Sequence, residues 1–259
     1  GDGNDTFVDT IAMFDTEDDV YNGGAGTDTL VHDLNWVSTV SFNLTAGFAF
    51  LNSVSRDRLI SIENLTVGGS AAMTGNSGAN VLIAHGNGAN VILGAAGNDT
   101  INAGGGDDLI RGGLGRDVMT GGLGDDTFDF ASAADSNGAA IDLITGFDFG
   151  TLGNPGDLID LIDIDARAST AANDAFTLGT GIGQLSFVNL ANNNTLIRGN
   201  TAAGGGFEVQ IEVADAGVTA AEEAYRLSRI GFEAGRISQV ELRVTRTALV
   251  NARSAAVDA

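Results

Sequence analysis

The chain has 259 residues, a formal net charge of −22 and no cysteine. So negative a charge argues against nucleic-acid binding, and the lack of cysteine excludes disulfides, thiolate metal sites and cysteine nucleophiles. No apolar run of about eighteen residues occurs, so no membrane span is expected. Most of the acidity lies in residues 1–218, whereas residues 219–259 are richer in arginine.

Two segments near the N-terminus are rich in glycine and aspartate. Residues 23–31 read G-G-A-G-T-D-T-L-V and match the pattern G-G-x-G-x-D-x-U-x, in which U is a large apolar residue. Residues 1–8 read G-D-G-N-D-T-F-V and begin at the second position of the same pattern. Because a natural protein rarely starts inside its own repeat, we expect a fragment of a longer chain.

The same nonapeptide recurs seven times between Thr66 and Asp129. Its first six residues are rich in glycine, which permits positive φ, so successive carbonyls can turn toward one point. Its last three residues are extended and carry one inward apolar side chain. This repeat is the signature of a parallel β-roll that binds Ca²⁺. The predicted inward residues are Met73, Leu82, Ile92, Ile101, Ile110, Met119 and Phe128.

The spacing of the repeats predicts which carboxylates meet. Two nonapeptides make one coil, so turns on the same side of the roll recur every eighteen residues. Asp99 and Asp117 have this separation, and so do Asp108 and Asp126. Each pair is predicted to clamp one Ca²⁺, with backbone carbonyls completing the six to eight oxygen ligands that this hard cation prefers.

The earlier copies of the repeat are weaker. Asn80 and Asn90 stand where the pattern has aspartate, and one extra residue separates Asn80 from its partner position. Asn90 lies eighteen residues before Asp108, which favours a mixed site there. Elsewhere this end is predicted to continue the roll by packing, with weaker metal sites or none. Asp28 of the complete N-terminal copy is a further candidate ligand.

The repeats resemble those of the RTX proteins, which bacterial type I systems secrete, over roughly residues 1–218. Residues 62–72 resemble the strand that these proteins often place before the roll. Residues 142–147 and 157–165 resemble the cap that follows the roll in serralysin-type proteins. Segments 183–187, 195–199 and 207–213 alternate apolar and polar residues, which predicts that antiparallel strands continue the cap.

The tail differs in character from the rest of the chain. Thr219-Ala-Ala-Glu222 is a capping box, and Ser238 can cap a second helix, so a helical hairpin is predicted. Residues 221–259 resemble a piece of TolC-like outer-membrane efflux subunits. So short a piece cannot build a trimeric channel, and efflux activity is not implied.

The predicted fold class is all-β. It comprises a right-handed parallel β-roll of nonapeptide repeats with an antiparallel β cap, plus a short C-terminal helical hairpin. The predicted divisions are degenerate RTX repeats at 1–31, a β spacer at 32–65, the calcium-binding β-roll at 66–135, a serralysin-like cap at 136–218 and the helical tail at 219–259.

The RTX resemblance also implies ligands, partners and a compartment. It implies that backbone carbonyls of Gly94, Gly97, Gly112 and Gly115 bind Ca²⁺ beside the aspartates. It implies export through type I secretion machinery in an unfolded state, followed by folding in millimolar Ca²⁺. The protein is then expected outside a Gram-negative bacterium, either secreted or at the cell surface.

The predicted function is a calcium-binding module that folds on Ca²⁺ outside the cell and stabilises, or assists secretion of, a type I secreted protein. Neither H-E-x-x-H nor G-x-S-x-G occurs, so the chain is not predicted to be an enzyme. One alternative is a surface-layer or adhesin protein that self-associates through Ca²⁺. The other is a C-terminal fragment of a secreted protease, lipase or epimerase.

Overall fold

The computed structural model describes residues 1–9, 19–32, 40–51, 55–148, 156–164, 176–178, 184–192, 194–201, 208–214 and 241–243. The chain divides into an N-terminal unit, Gly1–Gly124, and a C-terminal unit, Asp125–Ala259. Every regular element in the described segments is a β-strand, which confirms the all-β fold class. No helix within those segments has the length and hydropathy needed to cross a membrane.

The N-terminal unit contains two sheets. Its strands in chain order are β1 (Thr6–Asp9), β2 (Val20–Asn22), β3 (Thr29–His32), β4 (Val40–Asn43), β5 (Phe48–Leu51), β6 (Ser55–Ile60), β7 (Asn64–Gly68), β8 (Ala71–Thr74), β9 (Val81–His85), β10 (Val91–Ala96), β11 (Thr100–Gly105), β12 (Leu109–Leu114) and β13 (Val118–Leu123). The first sheet has the order β1-β3-β7-β9-β11-β13, and the second has the order β2-β6-β5-β4-β8-β10-β12. From β7 onward, successive strands alternate between the two sheets, as expected when each nonapeptide contributes one strand.

The pairing register follows the repeat. All neighbouring strands of the first sheet are parallel. Ile101 lies opposite Met119 in that sheet, and Ile92 lies opposite Ile110 in the second sheet. Each of these pairs joins residues two nonapeptides apart, so one coil of the roll contains two repeats.

The inward side chains of the repeats form the core of the roll. All seven residues predicted to point inward are at most 1% exposed, so that prediction is confirmed. Leu30 and Leu65 extend the core into the earlier coils and are 1% and 0% exposed. Strands β9 to β13 therefore each bury one large apolar side chain at their second position, as the period-2 geometry of a strand requires.

The segment between the two groups of repeats has a different topology. β4, β5 and β6 are joined as antiparallel neighbours within the second sheet. β6 then pairs parallel with β2, and β4 pairs parallel with β8. The antiparallel strands are thus inserted between the N-terminal repeats and the main roll without interrupting the second sheet.

The C-terminal unit is also β. Its strands are β14 (Thr127–Asp129), β15 (Asp142–Thr145), β16 (Leu158–Asp160), β17 (Thr177–Leu178), β18 (Gln184–Asn189), β19 (Thr195–Asn200), β20 (Val209–Val213) and β21 (Glu241–Arg243). One group has the order β15-β20-β19-β18-β17 and the other has the order β14-β16-β21. β18, β19 and β20 are antiparallel neighbours, which confirms the antiparallel strands predicted for the cap.

The predicted helical hairpin lies outside the described residues, apart from Glu241–Arg243. These three residues are extended, not helical, and pair antiparallel with β16. The helix predicted to follow Ser238 is therefore wrong at these positions. A backbone hydrogen-bonding partner on the edge of a sheet overrides the weak preference of an isolated amphipathic pattern.

We predict that Ile92→Ala lowers the free energy of unfolding of the calcium-loaded protein by about 2–5 kcal/mol. Ile92 is 0% exposed and lies between Met73 and Ile110, so truncation leaves a cavity inside the roll. The matched control is Val91→Ala on the outward face, where the side chain is 41% exposed. Urea unfolding measures both variants, and equal losses of stability would contradict the assigned inward face.

Candidate metal centre

Acidic and amide side chains stand immediately before the strands of the roll. In the first sheet, the residues that directly precede strands β1, β3, β7, β9, β11 and β13 are Asp5, Asp28, Glu63, Asn80, Asp99 and Asp117. In the second sheet, Asn90 and Asp108 precede β10 and β12. In the C-terminal unit, Asp126 and Asp157 precede β14 and β16. Because parallel strands start at the same edge of a sheet, these residues form a ladder along the strand edges within each unit.

Hydrogen bonds link successive members of this ladder. The backbone N–H of Asp99 donates to Oδ1 of Asp117 at 2.8 Å, and these residues are 18 apart in the chain. In the same way, the N–H of Asn80 donates to Oδ1 of Asp99 at 2.8 Å. The N–H of Asn90 donates to Oδ1 of Asp108 at 2.7 Å. Each carboxylate therefore uses one oxygen to hold the preceding coil.

The four predicted carboxylate ligands are buried. Asp99, Asp108, Asp117 and Asp126 are 1%, 3%, 0% and 1% exposed. The structure brings Asp99 and Asp117 together on neighbouring coils of the N-terminal unit. Asp108 and Asp126 belong to different units, so their pairing stays a prediction.

The second oxygen of Asp99 faces a space that suits a cation. Oδ2 of Asp99 is buried and has no hydrogen-bond partner. It lies 2.5 Å from the position that a Cβ atom on Gly94 would occupy, and the carbonyl oxygen of Gly112 lies against the same point. We call this arrangement of Gly94, Asp99 and Gly112 the Asp99 cradle. Two converging oxygens repel each other unless a positive charge lies between them, and a hard cation such as Ca²⁺ meets that need.

Gly97 and Gly115 have a different role in the same turns. Their φ angles are +117° and +131°, in the region that favours glycine. A Cβ on Gly97 would stand 2.5 Å from the carbonyl oxygen of Gly78, and one on Gly115 would collide with the carbonyl of Gly97. These glycines thus let successive turns stack closely. That the backbone carbonyls of Gly97 and Gly115 bind a cation remains a prediction.

Asn90 shows what happens where an amide replaces the carboxylate. Its Nδ2 donates to the carbonyl oxygens of Gly88 at 2.7 Å and Ala103 at 3.1 Å. Ala103 stands one coil beyond Asn90, as Gly112 does for Asp99. The amide N–H groups of Asn90 therefore place a partial positive charge against the carbonyl oxygens. The Asp99 cradle has no such donor. The mixed metal site at Asn90 stays a prediction, and its Oδ1 already accepts from Ala71 N–H at 2.8 Å.

Burial changes the acidity of these carboxyls. The pKa of Asp99 is raised from 3.8 to about 7, mainly by desolvation and to a smaller extent by the charge of Asp117, while the hydrogen bond from Asn80 partly offsets the rise. Desolvation likewise raises the pKa of Asp157 to about 7, against hydrogen bonds from the N–H groups of Asp126 and Asp148. Such carboxylates are costly to ionise in the absence of a cation.

Two ladder members, Asp157 and Glu63, were not predicted from the sequence as functional residues. Asp157 accepts from Asp126 N–H at 3.0 Å through Oδ1 and from Asp148 N–H at 2.7 Å through Oδ2. The sequence feature that could have identified Asp157 is the tripeptide Asp157-Leu-Ile, which is identical to Asp108-Leu-Ile in the repeats. Glu63 accepts from Asp28 N–H at 2.8 Å and has no glycine-rich segment before it to mark it.

The candidate sites are formed by carboxylate and backbone carbonyl oxygens together, and not by a cluster of acidic side chains. Among the described residues, no group of three or more His, Cys, Asp or Glu side chains could hold a metal ion. The Asp99 cradle instead combines one carboxylate with a backbone carbonyl, an oxygen-only set that suits Ca²⁺ and not a transition metal.

The nine-residue repeat of these turns matches a known family model. The family model for the RTX calcium-binding nonapeptide repeat matches four times, at residues 16–30, 74–110, 85–119 and 106–136. No curated protein matches the chain. One similar solved structure is the AlgE6R3 subunit from the Azotobacter vinelandii mannuronan C5-epimerase, with 28% identity over 56% of this chain and 70% of that chain and a TM-score of 0.33. The segments of this chain that the family model matches are RTX nonapeptide repeats, and such repeats bind Ca²⁺.

Proposed function

We propose that this chain is a module that folds when Ca²⁺ binds outside the cell, and that its folding stabilises and assists secretion of a type I secreted protein. The observation that carries the proposal is the Asp99 cradle, in which a buried carboxylate oxygen without a hydrogen-bond partner faces a backbone carbonyl. No catalytic role is proposed for the chain.

The energetics support coupling between folding and Ca²⁺. Each nonapeptide buries about one large apolar side chain, worth ~2 kcal/mol. The net charge of −22 opposes compaction, and the stacked turns bring carboxylates such as Asp99 and Asp117 onto neighbouring coils. A cation that binds the folded roll and not the unfolded chain offsets this repulsion and stabilises the fold by mass action.

The proposed ligands follow from the ladder. Asp99 and Asp117 contribute carboxylates on neighbouring coils, and Gly112 contributes a carbonyl oxygen within the Asp99 cradle. Asp108 and Asp126 are proposed as the second carboxylate pair. The remaining proposed ligands are the carbonyls of Gly94, Gly97 and Gly115 and the side chains of Asn90 and Asp28.

The same coupling gives a physical route for secretion. Cytosolic Ca²⁺ is scarce, so the chain stays unfolded and can pass through a narrow type I channel. Millimolar Ca²⁺ outside a Gram-negative cell then fills the sites, and folding on the outer side opposes return. The absence of cysteine is consistent with this proposal, because bound calcium can stabilise the fold of an extracellular protein in place of disulfides.

The test is far-UV circular dichroism during a Ca²⁺ titration from a chelated start, with Mg²⁺ as the control cation. The expected result is a cooperative gain of β signal with Ca²⁺ alone. Mg²⁺ demands near-octahedral geometry and dehydrates reluctantly, so it should not replace Ca²⁺ in a site built of carbonyls. A chain that is already fully folded in chelator, with no response to Ca²⁺, would overturn the proposal.

Substitution of the central carboxylate pair should weaken this response. We predict that Asp99→Asn together with Asp117→Asn removes at least one bound Ca²⁺ and shifts the folding midpoint to higher Ca²⁺. Asparagine keeps an oxygen that can accept the ladder hydrogen bonds and removes only the charges. Isothermal titration calorimetry measures the number of ions, with Asp129→Asn as a control on a half-buried residue beyond the ladder position. An unchanged stoichiometry would refute this pairing.

A calcium-dependent surface protein is the second candidate function. Leu114 and Leu123, at the ends of β12 and β13, are 51% and 75% exposed, which favours an association surface on the roll. Light scattering in Ca²⁺ and in chelator discriminates between the two candidates. Oligomers that form only with Ca²⁺ would support the surface protein, whereas a monomer in both conditions would count against it.

Acid should partly replace Ca²⁺. The pKa of Asp99 is raised from 3.8 to about 7 in the folded protein, so its contribution to stability is fully present below about pH 3.8 and is lost as the pH rises toward 7. We predict that the chain in chelator shows more β signal in far-UV circular dichroism at pH 5 than at pH 8. Saturating Ca²⁺ should reverse this order, because cations bind the ionised carboxylates.

The control for this pH dependence is Asp99→Asn, which has no titrating group at that position. It should show a smaller difference between pH 5 and pH 8 in calcium-free buffer. Equal β signal of the unmodified protein in chelator at both pH values, or more β signal at pH 8, would contradict the prediction.

A further inference from the structure

Three Asn-Gly dipeptides occur in the chain, Asn22-Gly23, Asn87-Gly88 and Asn137-Gly138. This dipeptide is chemically labile in water, because glycine has no Cβ to hinder attack by its backbone nitrogen on the preceding side-chain amide. The attack requires that the nitrogen and the amide approach each other, so hydrogen bonds that hold either group oppose it. The fold therefore decides which of the three dipeptides reacts.

The Asn22-Gly23 dipeptide is held by the second sheet. Asn22 is the last residue of β2 and lies opposite Ile60 of β6. The backbone N–H of Gly23, which is the group that would attack, donates to the carbonyl oxygen of Ile60 at 3.0 Å, and Gly23 is buried. Reaction at this dipeptide must first break that hydrogen bond and separate Gly23 from β6.

The Asn137-Gly138 dipeptide is held through its asparagine. Nδ2 of Asn137 donates to the carbonyl oxygen of Ala133 at 2.7 Å. The backbone N–H of Asn137 donates to the carbonyl of Ala140 at 3.2 Å, and the N–H of Ala140 donates back to the carbonyl of Asn137 at 2.8 Å. The side-chain amide is thus fixed toward Ala133, and the backbone that would have to rotate is held by Ala140.

The Asn87-Gly88 dipeptide lacks both kinds of restraint. Asn87 is exposed and lies in the turn between β9 and β10. Within the part of the chain that the structure describes, neither the Asn87 side chain nor the N–H of Gly88 forms a hydrogen bond. One and two repeats later, by contrast, the N–H groups of Gly97 and Gly106 donate to the carbonyls of Leu114 and Leu123, each at 2.8 Å. The attacking nitrogen is therefore free at Gly88.

We propose that Asn87 is a site of spontaneous deamidation in the folded protein, and that it reacts faster than Asn22 and Asn137. The backbone nitrogen of Gly88 loses its proton and forms a bond to Cγ of Asn87. The bond between Cγ and Nδ2 breaks, and Nδ2 leaves as ammonia with that proton. Water then opens the resulting succinimide at either carbonyl, which gives aspartate or isoaspartate without any oxidant, reductant or enzyme.

Isoaspartate at position 87 disturbs the coil that contains Asn90. Its backbone has an extra methylene group, which displaces the carbonyl of Gly88. That carbonyl accepts from Nδ2 of Asn90 at 2.7 Å, and its oxygen lies 2.8 Å from the position that a Cβ on Gly106 would occupy. Deamidation therefore removes a hydrogen bond that satisfies the Asn90 amide and disturbs the contact with the next coil.

The experiment is peptide mapping by mass spectrometry of the full chain aged at pH 8 in CaCl₂, with Asn22 and Asn137 as internal controls. Asn87 should deamidate roughly tenfold faster than either control or more, because each control reaction must first break a hydrogen bond. A rate at Asn22 or Asn137 equal to that at Asn87 or above it overturns the proposal. So does an unreacted Asn87 when a synthetic peptide of residues 85–90 deamidates in the same buffer.

Ageing in chelator distinguishes this proposal from the proposed function. If the chain unfolds without Ca²⁺, Asn22 and Asn137 lose their hydrogen bonds and should react as fast as Asn87. The same preference for Asn87 in both buffers would support the deamidation site and count against folding triggered by Ca²⁺. Equal rates in CaCl₂ would overturn the deamidation site alone.

Asn87→Gln tests the structural consequence of the reaction. Glutamine keeps an amide but must close a larger ring, which forms more slowly. In CaCl₂, the aged unmodified protein should exchange the amide hydrogens of residues 86–90 faster than the fresh protein, whereas aged and fresh Asn87→Gln should match. An equal loss of protection in both aged proteins would refute the assignment of this change to Asn87.

Discussion

The roll depends on buried carboxylates placed directly before several of its strands, such as Asp28, Asp99, Asp108 and Asp117. One oxygen accepts a backbone N–H from the preceding coil, as Asp117 does from Asp99 at 2.8 Å, and thereby fixes the register of the stack. The other oxygen remains in a dry, crowded turn, where an unpaired negative charge is costly. The second oxygen of each buried carboxylate therefore needs a hydrogen-bond donor or a cation beside it. This requirement links the strand register to metal binding.

Three solutions to this requirement occur along the ladder. At Asp99 and Asp28 the second oxygen faces only a carbonyl, which leaves a place for a cation. At Asn90 an amide nitrogen donates to the carbonyls instead. At Asp157 a second backbone N–H, from Asp148, occupies Oδ2. The partner is thus an amide at Asn90 and a peptide N–H at Asp157, whereas at Asp99 it is, in our proposal, a calcium ion.

The sequence predicted the parts that obey the nine-residue period. All seven inward residues lie in the core, and strands two repeats apart pair as the eighteen-residue spacing requires. Glu63 could not be predicted as a ladder member, because no glycine-rich segment precedes it. The pairing of Asp157 with Asp126 could not be predicted from the repeat either, because these residues are 31 apart and 31 is not a multiple of nine. Periodicity reveals a contact only where the intervening chain has constant length.

Because each coil touches only its neighbours, stability in such a stack is a sum of coil terms and interface terms. A cation at one interface stabilises both coils that it joins, so ions bound at successive interfaces reinforce one another. The Asn80 turn satisfies its amide without an ion, since Asn80 donates to the carbonyl of Glu63 at 2.6 Å. Interfaces of the two kinds, amide hydrogen bond and proposed calcium ion, therefore alternate in one stack, and loss of the ion at one interface weakens both coils that it joins.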